Sequence, residues 1–218
     1  MTKAIFPGRF SGGRGLKRRR FGVCVGGNMS QTTDEWFDVV NERDEVLGRE
    51  TRRVVHATGR WHRAVHVLVF DAAGRVFLQK RSMLKDLSPG LWDSSCSGHL
   101  DAGEDYDTAA VRELGEEIGV HGVAVGATET QVRRWFRVEA CAETGWEFCW
   151  IYRLRHEGPF VLHPEEIEAG EWVAADEVTR RLAAQPEHYC SSFTLIWRRV
   201  AGAAGRPGSG DFPSAGLT

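Results

Sequence analysis

Three glutamates, Glu113, Glu116 and Glu117, stand at i, i+3 and i+4. On a helix that spacing turns all three carboxylates to one face. Carboxylates so close repel one another and cost stability unless a cation neutralises them. A hard divalent ion that takes oxygen ligands suits the cluster, Mg²⁺ first and Mn²⁺ as the alternative. Arg112 precedes the cluster and can hold either Glu104 or Glu113 in a charge-assisted pair, orienting the metal ligands from behind.

The flanking residues predict a loop followed by a helix. Gly98 and Gly103 bracket a short loop in which the missing Cβ permits tight backbone and close approach to a ligand. Asp105 or Asp107 can cap the helix, and acidic residues suit its first turn. Ala110 or Val111, Leu114 and Ile118 form an apolar stripe opposite the glutamates, and Gly119 is placed to end the helix.

Read together, Gly98, Glu104, Arg112, Glu113, Leu114, Glu116, Glu117, Gly119 and Val120 fit the pattern G-x5-E-x7-R-E-U-x-E-E-x-G-U, with U aliphatic. In this the chain resembles the Nudix hydrolases. The resemblance implies an α/β fold, an α/β/α sandwich around a mixed sheet, and cleavage of a diphosphate linkage assisted by a divalent metal.

The remaining pattern is consistent with that architecture. Residues 36–40 and 45–48 read as a hairpin, followed by a short helix over 50–56. Residues 64–70 are an almost continuous apolar run of the kind found in a strand buried on both faces, and 75–81 form a strand after a turn. Residues 93–97, 123–130, 135–140, 146–154 and 171–173 read as further strands, with helices over 175–184 and 187–200. Helices flanking a mixed sheet are the simplest packing of these elements.

Within the Nudix proteins, residues 36–198 are similar to type 1 isopentenyl-diphosphate isomerase. The similarity rests on Asp38–Gly48, Trp61–His66, Leu78–Ser82 and Pro89–Trp92 leading to Ser97-Gly-His99. Two departures stand out. Those isomerases place a catalytic cysteine immediately before the Gly-His pair, where this chain has Ser97. Cys96 falls one place earlier, where strand alternation turns it to the opposite face. The isomerases also depart from the strict glutamate pattern, which is intact here, so the residues favour hydrolysis.

On this reading Glu113, Glu116, Glu117 and the Gly98 carbonyl hold the metal, with Glu104 as a further ligand and Arg112 in support. Glu117, Glu166 or Glu168 is the candidate base that orients a water. Lys80 and Arg81, at a strand end, are candidate clamps for the substrate's phosphates. His62 and His66 share a face by parity and His99 adjoins the glutamate pattern. A metal site of the kind isomerases have is open to these histidines, although packed histidines are the expectation. Trp135, Phe136, Trp146 and Trp150 are expected to pack the core rather than stack a base.

Length and composition set the rest. The 218 residues, 42% of them hydrophobic, suit one catalytic domain over 29–200 with tails. Residues 1–28 carry seven basic and no acidic groups, leaving 21 basic against 30 acidic groups in the remainder. That arm is read as disordered, or as lying upstream of a start at Met29, and nucleic-acid binding is not expected of it. Residues 201–218 read as a flexible Gly/Ala/Pro tail. Five cysteines without framework spacing suggest free thiols in a reducing, cytoplasmic setting. No apolar run is long enough for a membrane helix. A small-molecule diphosphate is the expected partner, with a homodimer left open.

Overall fold

The computed structural model describes residues 35–204; the basic arm over 1–28 and the start at Met29 lie outside them. Strand β1 (Trp36–Val40) and strand β2 (Val46–Thr51) form an antiparallel hairpin, and α1 (Arg52–Thr58) follows without a break. Gly59 ends α1 in the left-handed region, at φ 60°, where a residue without Cβ is at ease. Strand β3 (His62–Phe70), β4 (Val76–Arg81), β5 (Trp92–Asp93) and β6 (Cys96–His99) precede α2 (Tyr106–Ile118). Then come β7 (Arg133–Val138), β8 (Glu147–Arg155), β9 (Ile167–Val173), α3 (Ala175–Ala184) and α4 (Ser191–Ala204).

The main sheet is mixed. Strand β3 runs parallel to β8 along its whole length, from His62 opposite Glu147 to Phe70 opposite Arg155. On its other edge β3 changes partner: Ala64 to Val67 pair with β6, whereas only Val69 and Phe70 pair with β4. Strand β4 then continues alongside β5 and β9. The divergence of β4 from β6 matters because residues of both strands line one cavity.

Alternation along β3 builds the two cores. Val65, Val67 and Val69 face α2 together with Ala109, Ala110, Leu114 and Ile118. Ala64 and Leu68 face the opposite layer, where Val178, Leu182, Phe193, Ile196 and Trp197 of α3 and α4 cover the sheet. The expected sandwich and mixed sheet are therefore observed, with α2 on one face and α3 and α4 on the other. Among the described residues, no helix is long and apolar enough to cross a membrane.

Several boundaries differ from expectation. Residues 123–130 are not a strand: the chain folds back on itself, with Gly126 N–H donating to the Val132 carbonyl and the Gln131 side chain accepting from Thr128. Helix α4 starts at Ser191 rather than 187, because a single 3₁₀ turn over Pro186–His188 ends at an extended Tyr189. Cys190 N–H then bonds the Trp92 carbonyl, pinning the start of α4 to β5. The helix reaches Ala204, so the first residues of the expected 201–218 tail are helical. Strand β9 begins four residues early, since Ile167 to Ala169 pair with Lys80 and Arg81.

Phe193 is fully buried between Tyr189 and Trp197. Phe193→Ala should cost about 3–5 kcal/mol by loss of transfer energy and creation of a cavity. Urea unfolding measures it; a loss below about 1 kcal/mol would mean that α4 is not fixed by this core.

Candidate active site

Helix α2 carries the glutamates because its ends and its buried stripe are both specified. Asp105 caps it, accepting from the N–H groups of Asp107 and Thr108, and Gly119 closes it at φ 71°. Leu114 and Ile118 bury the helix against the sheet, which brings the other face against β6. Glu113 and Glu117 become almost fully buried, while Glu116 stays largely exposed.

Each buried glutamate is held by named partners. Glu117 Oε2 accepts the Ser97 N–H at 2.9 Å and the Gln79 Nε2 at 3.1 Å. Glu113 Oε1 accepts from Arg112 Nη1 at 2.7 Å, and the same nitrogen reaches Glu116 at 3.0 Å. Arg112 also grips Glu104 through Nε at 2.9 Å and Nη2 at 2.8 Å, and reaches the His99 carbonyl at 3.0 Å. All five guanidinium N–H groups are thus used. Glu104 is committed to Arg112 and does not line the cavity, so it acts in this structure as a positioning group.

The electrostatics match a cation site. Burial, and then the neighbouring Glu117 charge, push the Glu113 carboxyl up to about 8. Burial likewise pushes Glu117 up to about 7, with Lys85 and the Ser97 N–H opposing it. Two carboxylates raised together in a buried site fit a divalent ion that would neutralise both. Gly98 fits it too: a Cβ there would fall 2.0 Å from Glu113 Oε1, so only glycine leaves the backbone in contact with that carboxylate.

These groups open onto a cavity of about 640 Å³. Arg81 and Lys85 line it as well. Arg81 is anchored by Asp93, Nη1 to Oδ2 at 3.3 Å, and Lys85 pairs with Glu166. Lys80 points elsewhere, pairing with Glu168 at 2.9 Å outside the cavity, because neighbouring residues of β4 alternate in direction. Of the two expected phosphate clamps the structure brings Arg81 and not Lys80 to the cavity, and Lys85 lines it too. Glu166 lines the cavity and Glu168 does not. Lys85 and Gln79 escaped sequence reasoning: one lies in a loop without periodicity, the other reads as an ordinary strand polar.

A second cluster lies beside the first. His99 Nε2 is 3.0 Å from Glu147 Oε1, His62 Nε2 is 3.5 Å from the same oxygen, and His56 Nε2 is 3.3 Å from His99 Nε2. Ligand atoms from all four residues lie within 4.8 Å of one another. His62 Nδ1 donates to the Arg60 carbonyl at 2.9 Å, which leaves Nε2 as the ring nitrogen turned to Glu147. That buried Nε2 has no hydrogen-bond partner and faces a carboxylate oxygen, an arrangement a metal ion would satisfy. Burial, aided by Arg52 and His62, pushes His56 down to about 4; burial also pushes His99 down to about 3 despite Glu147. Neutral imidazoles are the form that binds metals. The expectation of merely packed histidines therefore holds only in part: Phe37 does stack on His62 and His99, but these two converge with His56 and Glu147 on one point. His66 lies apart, bonded to Ser94 Oγ at 2.7 Å. His56 and Glu147 were not foreseen, since each comes from an element distant in sequence.

Three of the four aromatic expectations are met by packing: Trp135 lies edge-on to Phe70 and Phe136, and Trp150 lies edge-on to Tyr106. Trp146 departs from expectation, since it stays 41% exposed; none of the four lines the cavity. Ser97 lines the cavity, whereas Cys96 is buried in the core beneath α2, as alternation requires.

Gly98→Ala should remain folded, at a cost of about 1–3 kcal/mol, because the added methyl can be accommodated only by displacing the Glu113 carboxylate. The same variant should bind Mg²⁺ at least about tenfold more weakly by calorimetry. Unchanged metal affinity would show that Glu113 does not need its place against Gly98.

Known proteins place this architecture. The profile of the NUDIX domain matches residues 60–193. An uncharacterised Nudix hydrolase of Yersinia pestis is 34% identical over 160 residues, spanning 73% of this chain and 80% of that one. An isopentenyl-diphosphate Delta-isomerase of Nocardia farcinica is 38% identical over 184 residues, spanning 79% of this chain and 98% of the isomerase. The crystal structure of a Deinococcus radiodurans protein superposes with a TM-score of 0.64 at 29% identity, covering 76% of this chain and 98% of that one. The glutamate helix, its glycine cradle and these likenesses agree, and the chain belongs to the Nudix hydrolase family.

Proposed function

We propose that the protein is a metal-dependent hydrolase that cleaves the diphosphate linkage of a nucleoside diphosphate derivative or a related organic diphosphate. The observation that carries this reading is that the Glu113–Glu116–Glu117 face and the cations Arg81 and Lys85 line one cavity together. A diphosphate needs both: positive side chains for its outer oxygens and acidic ligands for the ion between. Mg²⁺, or Mn²⁺, held by Glu113, Glu116, Glu117 and the Gly98 carbonyl, would polarise the phosphoryl oxygens and offset charge as it develops.

The chain's own residues do the remaining work. Arg81, fixed by Asp93, and Lys85, fixed by Glu166, orient the diphosphate. Glu117, whose Oε2 is held by Ser97 and Gln79, keeps Oε1 for a water or the cation, and its raised proton affinity suits a base working near neutrality. Arg112 acts through Glu113 and Glu104 rather than on the substrate. The leaving moiety is a small molecule recognised by the loops at the cavity mouth. Free thiols at Cys96, Cys141, Cys149 and Cys190 suit a reducing, cytoplasmic location.

One observation favours a second reading. The His56–His62–His99–Glu147 cluster resembles the histidine metal site of isopentenyl-diphosphate isomerases, and the relative from Nocardia carries that name. Against it, Ser97 stands where those enzymes have a catalytic cysteine, and an unactivated hydroxyl is a poor proton donor and acceptor near neutrality. Proton NMR of isopentenyl diphosphate should show no allylic isomer at a rate above hydrolysis; isomer formation faster than cleavage would reverse the ranking.

Glu113→Gln and Glu117→Gln should each lower metal-dependent hydrolysis by at least about a hundredfold while the circular dichroism stays native. Wild-type turnover in both would exclude the cluster. Because both carboxyls are raised, protons compete with the metal below about pH 7–8, and ionisation with rising pH exposes the repulsion that the metal relieves. The rise in melting temperature on adding Mg²⁺ should therefore be larger at about pH 8.5 than at about pH 6. Equal shifts at the two pH values would contradict metal binding by these glutamates.

A further inference from the structure

Strands β3 and β8 bring a second set of ligand atoms to Glu147. His66, Glu147 and Cys149 each offer a ligand atom, all within 4.8 Å of one another. Parity accounts for the meeting: His62, Ala64 and His66 alternate along one face of β3, and His62 and Ala64 lie opposite Glu147 and Cys149 of β8. Between the two histidines stands Ala64, the smallest residue of the three, which leaves space that a larger side chain would fill.

The hydrogen bonds fix which atoms are free. Ser94 Oγ donates to Asp93 Oδ1 at 3.3 Å, and so accepts from His66 Nδ1 at 2.7 Å. His66 Nδ1 thus carries the proton, and its Nε2 keeps a lone pair. A ligating histidine held through its other nitrogen by a polar partner is the usual arrangement behind a metal. Glu147 divides its two oxygens: Oε1 faces His62 and His99, whereas Oε2 lies 3.8 Å from Cys149 Sγ.

We propose that His66 Nε2, Cys149 Sγ and Glu147 Oε2 form a binding site for a borderline-soft divalent transition ion such as Zn²⁺ or Co²⁺, with Glu147 bridging it to the His56–His62–His99 cluster. One imidazole, one thiolate and one carboxylate are the three ligand types that zinc takes, and three protein ligands leave a tetrahedral position for water. His66 and Glu147 both line the cavity, so that water has access. Bonds of about 2.0–2.3 Å in a tetrahedron hold ligands about 3.3–3.8 Å apart, so a contraction of about 1 Å from the metal-free spacing closes the site. A carboxylate that bridges two ions holds them about 3.5–4 Å apart. The Cys149 thiol, now pushed up by burial and by the Glu147 charge, would lose its proton to solvent as the ion binds.

The test is a Co²⁺ titration of the metal-stripped full chain, read by absorption. Binding should produce a thiolate-to-cobalt charge-transfer band. Cys149→Ser should abolish that band while retaining the weaker ligand-field bands of cobalt held by the histidine cluster. His66→Gln, which leaves the thiol in place, should shift the titration of the band to at least about tenfold higher Co²⁺. Absence of the band in the wild type at saturating cobalt, its persistence in Cys149→Ser, or an unchanged midpoint in His66→Gln would each overturn the proposal. None of these readouts depends on hydrolysis, so failure here is distinguishable from failure of the hydrolase reading.

Discussion

Two carboxylates buried side by side are the constraint on which the rest of the structure depends. Glu113 and Glu117 are nearly sequestered from water; burial raises both carboxyls, and the Glu117 charge further raises Glu113 as the Glu166 charge does Glu117. Such a pair persists only where donors and a cation are close, and the chain supplies donors from three directions and a positive side chain from a fourth. Arg112 comes from the same helix, Gln79 from β4, the Ser97 N–H from β6, and Lys85 from the loop after β4. The glycine at position 98 lets β6 approach the helix closely enough to complete that ring.

The same divergence of β4 and β6 that makes the ring makes the cavity. Strand β3 changes partner midway, and its parity serves two layers at once. Val65, Val67 and Val69 secure α2, while His62, Ala64 and His66 face the opposite side, toward the histidine cluster and the cavity floor. Stability and chemistry are thus written on alternate residues of one strand. Polar substitutions at Val65, Val67 or Val69 would threaten the fold, and apolar ones at His62 or His66 would threaten the site.

Much of this was legible in order. The box from Gly98 to Val120 specified its own loop, cap, buried stripe and acidic face, and helix α3 matched its expected span because Val178 and Leu182 carry a clear stripe. What sequence could not show was convergence. Lys85, Gln79, His56 and Glu147 reach the site from a loop, two strands and a helix, and no local period marks them. Lys80 and Arg81 were equivalent as residue types, and only the pairing of Lys80 with Glu168 separated them. The expected strand over 123–130 failed for a local reason: its hydrophobic residues pack, but the backbone bonds turn inward across Gly126.

The central claim is that water attacks phosphorus in this cavity. It is tested most directly by incubating the protein with organic diphosphates in heavy-oxygen water, with and without Mg²⁺, and following the products by phosphorus NMR. The account predicts cleavage only with metal, with the heavy isotope in one product phosphate. An intact diphosphate, isomerised or unchanged across nucleotide, sugar-nucleotide and prenyl classes with Mg²⁺ or Mn²⁺ present, would contradict it.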